Sequence, residues 1–358
     1  MCRLKKRNAA DNYDSEKPCD SAPGNGRACL KADTVSFPTS DLPNGFIQLY
    51  RYDTDAIRTE LGAGLLAQQA SASPKYLYDA LGSKLFEAIC ELPEYYPTRT
   101  EAAIFERYLR DIGQSVGKGV TLIDLGAGNC AKAARLFPVL QPVQYVPVDI
   151  SVDFLRDAIE RLRLRYPVVR MTGVGMDFSC SLELPAEVRR DKRLFFYPGS
   201  SIGNFTPEEA ACMLGRIRAA CEAGGGLLIG VDLVKERRVL DRAYDDALGV
   251  TAAFNLNLLR HLNLLLDADF DVSDWRHLAF FNDAQGRIEM HLEARRSVAV
   301  RWSGGQRVFR EGERIHTENS YKYTRQDFLQ LLERAGFGRV KTWTDERGWF
   351  MVCHAHAV

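Results

Sequence analysis

Between residues 120 and 234 the chain alternates two kinds of segment in a fixed order. GVTLIDLGAG is a short apolar run ending in Asp-Leu-Gly-Ala-Gly, and NCAKAARLFPVL after it has helical spacing. QYVPVDIS and VDFLRDAIERLRLRYP repeat the pair. VVRMTGVGMDF and RLFFYPGSS read as a third and a fourth strand. TPEEAACMLGRIRAACEAG reads as a helix with Pro207 near its start, and GGLLIGVDLV as a fifth strand. Such alternation predicts an α/β fold, a parallel, doubly wound sheet with helices on both faces.

The flanking segments follow other patterns. Residues 1–40 are polar and contain the Gly/Pro/Ser-rich stretch CDSAPGNGRA, so a disordered extension is expected there. Residues 41–112 carry helical patterns in DAIRTELGAGLLAQ, SKLFEAICEL and TRTEAAIFERYLRDIG, the last with a cap-like Thr98 or Thr100. After the core at 113–235, residues 236–320 begin with a long helical stretch interrupted near Gly249. RIEMHLEARRSVAVRWSGGQRVF then alternates apolar and polar residues, which predicts an antiparallel meander. Residues 321–358 read as a helix and a strand pair turning at Glu346-Arg347-Gly348, completing the core. The 41–112 helices and the insertion are expected to form a smaller α+β second domain.

Length and charge narrow the function. The 358 residues suffice for one large domain with an insertion or for two domains. Basic and acidic residues balance at 47 each, which weighs against a nucleic-acid or anionic-membrane partner. The nine cysteines are scattered and include no C-x-x-C pair, as in a cytoplasmic protein with reduced thiols. Neither they nor the six histidines are spaced as metal ligands. MCRLKKRNAADNYDSEK has charge but no apolar core, so no secretory signal is expected, and no apolar run is long enough to span a bilayer. A monomer is expected.

Three successive strand ends carry side chains suited to an adenosine. The turn Asp124-Leu125-Gly126-Ala127-Gly128-Asn129 lets backbone N–H groups approach a ligand, although a dinucleotide fold shares it. Asp149 closes the second strand, where a carboxylate can take both ribose hydroxyls. Asp177-Phe178 closes the third, where the acid can accept from an exocyclic amine and the ring can pack on the base. Helix capping is the bland alternative for each acid. With a terminal hairpin on the sheet, the set suits S-adenosylmethionine better than NAD.

IHTENSYKY, residues 315–323, raises a separate question. Glu318 and Ser320 are two apart, so an extended strand points both to one face. His316 and Asn319 should face the other way.

With these residues in hand, the chain resembles the L-histidine Nα-methyltransferases, which make hercynine on the route to ergothioneine. The resemblance runs from about Pro74 to the C-terminus. It is carried by PKYLYDALGSKLFEAICELPEYYPTRTE, LIDLGAGNCAKA, YVPVDIS, DF at 177, PGSSIGNF, DLVK, AYDDALGVTAAFNLN, RIEMHL and IHTENSYKY. It implies a Rossmann-like class I methyltransferase core, a second domain, and an active site between them. It also implies that Tyr78, Gly126, Lys132, Asp149, Asp177 and Phe178 contact S-adenosylmethionine. Tyr95, Asn204, Tyr244, Met290, Glu318 and Ser320 would then form the amino-acid pocket.

Each pocket residue has a plainer alternative. Asn204 follows the fourth strand and can donate to a carboxylate, or it is a turn asparagine. Tyr244 can take the other carboxylate oxygen, or it packs in a helix core. Tyr78 and Tyr95 can orient the amine or simply pack, and Met290 alone reads as core. Glu318 can accept from one imidazole N–H while Ser320 pairs with the other nitrogen; otherwise they belong to a surface strand with a cross-strand salt bridge. The expected chemistry is in-line displacement at a sulfonium methyl by a neutral α-amine, three times over, with a water bonded to Tyr78 or Tyr95 taking the proton. Two rivals remain at this point. One is the same fold acting on another α-amino acid or amine; the other is a non-enzymatic S-adenosylmethionine sensor.

Overall fold

The chain's structure, a computed structural model, describes residues 45–49, 53–222 and 224–358. The extension expected over residues 1–40 lies outside them. The first elements are β1 (Phe46–Gln48), α1 (Thr54–Leu66), β2 (Ala70–Ser71), α2 (Ala80–Glu91) and α3 (Tyr96–Val116). The alternating region gives β3 (Thr121–Leu125), α4 (Ala131–Ala134), α5 (Phe137–Leu140), β4 (Gln144–Asp149), α6 (Val152–Arg165), β5 (Arg170–Met171), β6 (Gly173–Gly175), β7 (Arg193–Tyr197), α7 (Pro207–Cys221) and β8 (Gly226–Asp232). The insertion holds α8 (Arg237–Tyr244), α9 (Val250–Leu266), β9 (Trp275–Asn282), β10 (Arg287–Ala294), β11 (Val298–Trp302), β12 (Gly305–Phe309) and β13 (Arg314–Tyr321). Then come α10 (Arg325–Arg334), β14 (Phe337–Thr344) and β15 (Phe350–Ala357).

Strands buried on both faces need cover on both faces, and the main sheet has it. Its order is β1-β6-β4-β3-β7-β8-β15-β14, with β5 beside β4. The first six run parallel, and β15 lies antiparallel between β8 and β14. Ile123, Val146 and Phe195 pack with Met213 and Leu214 of α7 and Phe328 of α10 on one face. Leu122, Tyr145 and Phe196 pack with Ile104 of α3, Phe137 of α5 and Leu155 of α6 on the other. The expected doubly wound α/β sheet is therefore present.

A second, four-stranded sheet has the order β2-β13-β10-β9. Its inner face shares one apolar core with α1, α2, α8 and α9, including Leu61, Ile89, Leu240, Leu258, Ile288 and Ile315. All described residues fall in one compact unit.

Several local expectations change. Tyr95, without a side-chain cap, precedes α3, so neither Thr98 nor Thr100 caps it. Pro97 in the first turn needs no hydrogen-bonded N–H, which favours this earlier start. α3 also packs on the main sheet through Ile104, Phe105 and Ile112, and β1 pairs with β6 at its edge. Residues 41–112 are thus divided between the two layers. NCAKAARLFPVL forms two single turns, because Pro138 near the start of α5 has no N–H to continue a helix. The third strand is two short pieces, β5 and β6. The meander is not continuous either: β10 pairs with β9 and β13, while β11 and β12 form their own hairpin.

Candidate active site

The carboxyl ends of β3, β4, β6 and β7 open toward the second sheet, where an open α/β sheet holds its ligands. Gly126 and Gly128 follow β3 with φ of 69° and 52°, which glycine adopts without steric cost. Gly126 and Ala127 donate their N–H groups to Val148 O, locking this turn to β4. Asp149 bridges the two turns: Oδ2 accepts from Gly128 N at 2.9 Å and Oδ1 from Ser151 N at 2.9 Å. Each oxygen retains lone-pair capacity for a hydroxyl donor. Burial raises the Asp149 carboxyl above its usual range, against the pull of these N–H groups.

Asp177 Oδ1 accepts from Ser179 N at 3.0 Å, and Lys75 Nζ stands 3.9 Å from Oδ2. The Phe178 ring meets Tyr197 edge-on at 5.9 Å, and its Cζ lies 3.9 Å from where a Cβ on Gly126 would sit. Lys132 Nζ pairs with Glu101 Oε2 at 2.8 Å, and Glu101 Oε1 accepts from Gly199 N at 2.7 Å. The six residues expected at a cofactor therefore surround the strand ends, except Tyr78, which enters from the segment before α2. Sequence reasoning missed the buried Glu101 that holds Lys132 in place.

The second half of the site is built on β13. Glu318 lies opposite Met290 and Ser320 opposite Ile288, all buried. Between Met290 and His291 the register shifts, leaving Thr317 as an extra residue whose Oγ1 donates to Met290 O at 3.0 Å. This bulge puts His316 on the face of Asn319, to which it bonds at 2.9 Å, as expected of the pair. Alternation alone would have left His316 on the face of Glu318.

Glu318 is no surface residue: it is 8% exposed, and its Oε2 has no hydrogen-bond partner among the described residues. Burial pushes its carboxyl up to about 7, against the pull of Lys322. The turn holding Asn204 packs on β13 so closely that a Cβ on Gly203 would stand 2.8 Å from Tyr321 O. The same Cβ would stand 3.6 Å from Ser320 Oγ, and half-buried Asn204 is the next residue of that turn. Tyr244 Oη, from the end of α8, lies 2.8 Å from Ser320 Oγ.

Rings connect the two halves. Tyr78 meets Phe86 and Phe254, each at 5.5 Å; Phe86 meets Tyr95 at 6.2 Å, and Tyr95 meets Tyr244 at 6.0 Å. Burial raises the Tyr78 and Tyr95 phenols well above their usual value. On Tyr78 the charges of Glu318 and Asp149 add to this. The sequence reading named neither Phe86 nor Phe254; helical spacing made both look like core.

It also missed a buried charge cluster. Lys322 Nζ pairs with Asp232 Oδ2 at 2.8 Å, and Lys235 Nζ with Asp232 Oδ1 at 2.6 Å. Tyr96 Oη donates to Asp232 Oδ2 at 2.6 Å. Burial would raise Asp232, but the two lysines outweigh it and hold the carboxyl below its ordinary range. The signal was present: Lys322 continues the alternation of Glu318 and Ser320.

The sheet and the adenosine-type side chains at its carboxyl ends define an S-adenosylmethionine-dependent methyltransferase. The model of the family described as "Histidine-specific methyltransferase, SAM-dependent" matches residues 57–357, and the chain belongs to this family. A histidine N-alpha-methyltransferase from Mycolicibacterium smegmatis is 39% identical over 302 residues, covering 83% of this chain and 93% of that protein. N-methyltransferase fsqC from Aspergillus fumigatus is 28% identical over 290 residues, 78% of each chain. Ergothioneine biosynthesis protein 1 from Neurospora crassa is 29% identical over 281 residues, 75% of this chain and 31% of that protein.

Proposed function

We propose that the chain methylates the α-amine of L-histidine three times, giving Nα,Nα,Nα-trimethylhistidine (hercynine), the first step toward ergothioneine. The observation that carries this reading is Glu318: a buried carboxylate with an unpartnered oxygen, on one strand face with Ser320. A ring with two polar edges satisfies both groups, whereas an indole or phenyl ring would leave the carboxylate buried and unpaired. Tyr244 lies against Ser320, and Asn204 belongs to the turn that packs on it; both can donate to the substrate carboxylate. Met290 packs next to Glu318.

S-Adenosylmethionine supplies the electrophilic methyl group when bound. Asp149 would hold its ribose, Asp177 and Phe178 its base, and Gly126 and Lys132 would line the rest. The residues fit this group: Asp149 keeps acceptor capacity on both oxygens beside the glycine turn, and Phe178 lies close to Gly126. The remaining chemistry is positional. Tyr78 and Tyr95 are too weakly acidic to serve as bases, so they stay protonated and orient the amine, which releases its proton to water. Tyr78, Phe86, Tyr95 and Phe254 suit a head group that becomes a permanent cation.

No helix among the described residues is long and apolar enough to cross a membrane. We further infer a cytoplasmic monomer, in line with the buried free thiols of Cys130, Cys221 and Cys353.

Mass spectrometry of the protein incubated with S-adenosylmethionine and the twenty amino acids tests the reading. A gain of three methyl groups on histidine alone is expected. Methylation of another amino acid would overturn the pocket assignment, and no methylation would favour a cofactor-binding sensor.

A further inference from the structure

The two hydroxyls that would face the substrate are themselves held by a buried cation. Lys322 Nζ lies 2.7 Å from Ser320 Oγ, 3.1 Å from Tyr244 Oη and 2.8 Å from Asp232 Oδ2. An ammonium has three hydrogens, and these three oxygens take all of them. Ser320 Oγ and Tyr244 Oη are also bonded to each other, which uses one of their two hydroxyl hydrogens. One hydrogen is left for a ligand. Ser320 offers it to a ring nitrogen when Tyr244 donates to Ser320; Tyr244 offers it to a carboxylate oxygen when the bond runs the other way.

Building on the histidine reading of the site, we infer that Lys322, anchored by Asp232, is a positioning residue that orders this hydroxyl pair for acceptor recognition. The anchor comes from the end of β8 in the main sheet, and the hydroxyls come from α8 and β13. Asp232 is shared with Lys235, so the cluster carries one ammonium in excess of its carboxylate. The charge of Lys322 also reaches Glu318. The titratable groups facing that carboxylate are Tyr78, Tyr95, Tyr244 and Lys322. The tyrosines stay neutral at physiological pH, which leaves Lys322 as the cation among them. It favours the ionised Glu318 that can accept a ring N–H. Removing it moves the Glu318 carboxyl upward, so the ionised form is lost at a higher pH.

The test is steady-state kinetics of the full chain across the neutral pH range, comparing wild type, Lys322→Met and Lys322→Arg. Calorimetry of S-adenosylmethionine binding serves as the folding control. Lys322→Met is expected to raise KM for histidine by about tenfold or more, with kcat at saturation changed by less than about threefold. The acid limb of kcat/KM is expected to move to higher pH, and Lys322→Arg to bring it back. The substrate's own titration is common to all variants. A merely structural role would lower the melting temperature and kcat and leave the limb in place. Should Lys322→Met fail to fold, Lys322→Gln carries the same expectation, because its amide still bonds Asp232 but has no charge. A folded variant with unchanged KM and an unmoved limb overturns the inference. If wild type itself does not methylate histidine, the functional reading fails and this inference with it. If wild type methylates histidine and the variant behaves identically, only this inference fails.

Discussion

The proposed cofactor half and the proposed acceptor half of the site are built in opposite ways. At the strand ends, Asp149 is satisfied by backbone N–H groups, from Ser151 two positions on and from Gly128 in the turn after the neighbouring β3. On β13, Ser320 depends on Tyr244 from another helix, and Lys322 depends on Asp232, which lies 90 positions earlier in the chain. Glu318 keeps an oxygen with no partner at all. Backbone N–H groups of two neighbouring strand-end turns prepare Asp149 in the first half. Tertiary contacts prepare the second, which carries a standing cost that a ligand can relieve.

If that contrast holds, the two halves should fail separately. The largest effect expected is from Glu318→Ala: kcat/KM for histidine should fall about a thousandfold, because the ring loses its charged acceptor in a dry site. Cofactor affinity, read by calorimetry, should change less than about twofold. Equal loss of both would dissolve the comparison. Asp149→Ala should weaken S-adenosylmethionine binding about a hundredfold, since it removes the ribose acceptor and strands two N–H groups. An unchanged affinity would show that the ribose lies elsewhere.

A third experiment measures the standing cost itself. Burial places the Glu318 carboxyl at about 7 in the folded chain, above its unfolded value of 4.5. A raised acid favours folding below the unfolded value and loses that contribution as pH rises through the folded one. Glu318→Gln should therefore stabilise the ligand-free protein at pH 8, by no more than about 3 kcal/mol, and make little difference near pH 4. Denaturant unfolding at the two pH values would decide it; the same gain at both would point to packing instead. The smallest effect expected is from Gly203→Ala, whose Cβ would press on Tyr321 O and displace Asn204. KM for histidine should rise about tenfold while cofactor binding holds. A rise in cofactor Kd would mean the turn serves both halves.

The same contrast explains what could be read without a structure. The residues proposed to hold the cofactor stand at strand ends, and strand ends are visible wherever an apolar run stops at Gly or Asp. Asp149, Asp177 and Gly126 were legible for that reason. Glu318 and Ser320 were legible as a pair because their spacing is local. Their partners were not: nothing in the sequence near Lys322 announces Asp232, and Phe254 follows the helical spacing of an ordinary core residue. The split of NCAKAARLFPVL was foreseeable from Pro138. The assignment of α3 to the main sheet was not, because its apolar face fits either layer.

The bulge at Thr317 has one further consequence. Before it, Ile315 points into the apolar core and His316 to the opposite face; after it, Glu318, Ser320 and Lys322 point into the pocket. The strand thus changes phase at a single residue. Pairing Thr317 in a regular ladder, in place of the bulge, would leave every downstream side chain chemically intact and reverse its direction, exchanging the pocket's Glu318 for Asn319. The acceptor preference of the site is therefore written in the parity of one strand as much as in the identity of its residues.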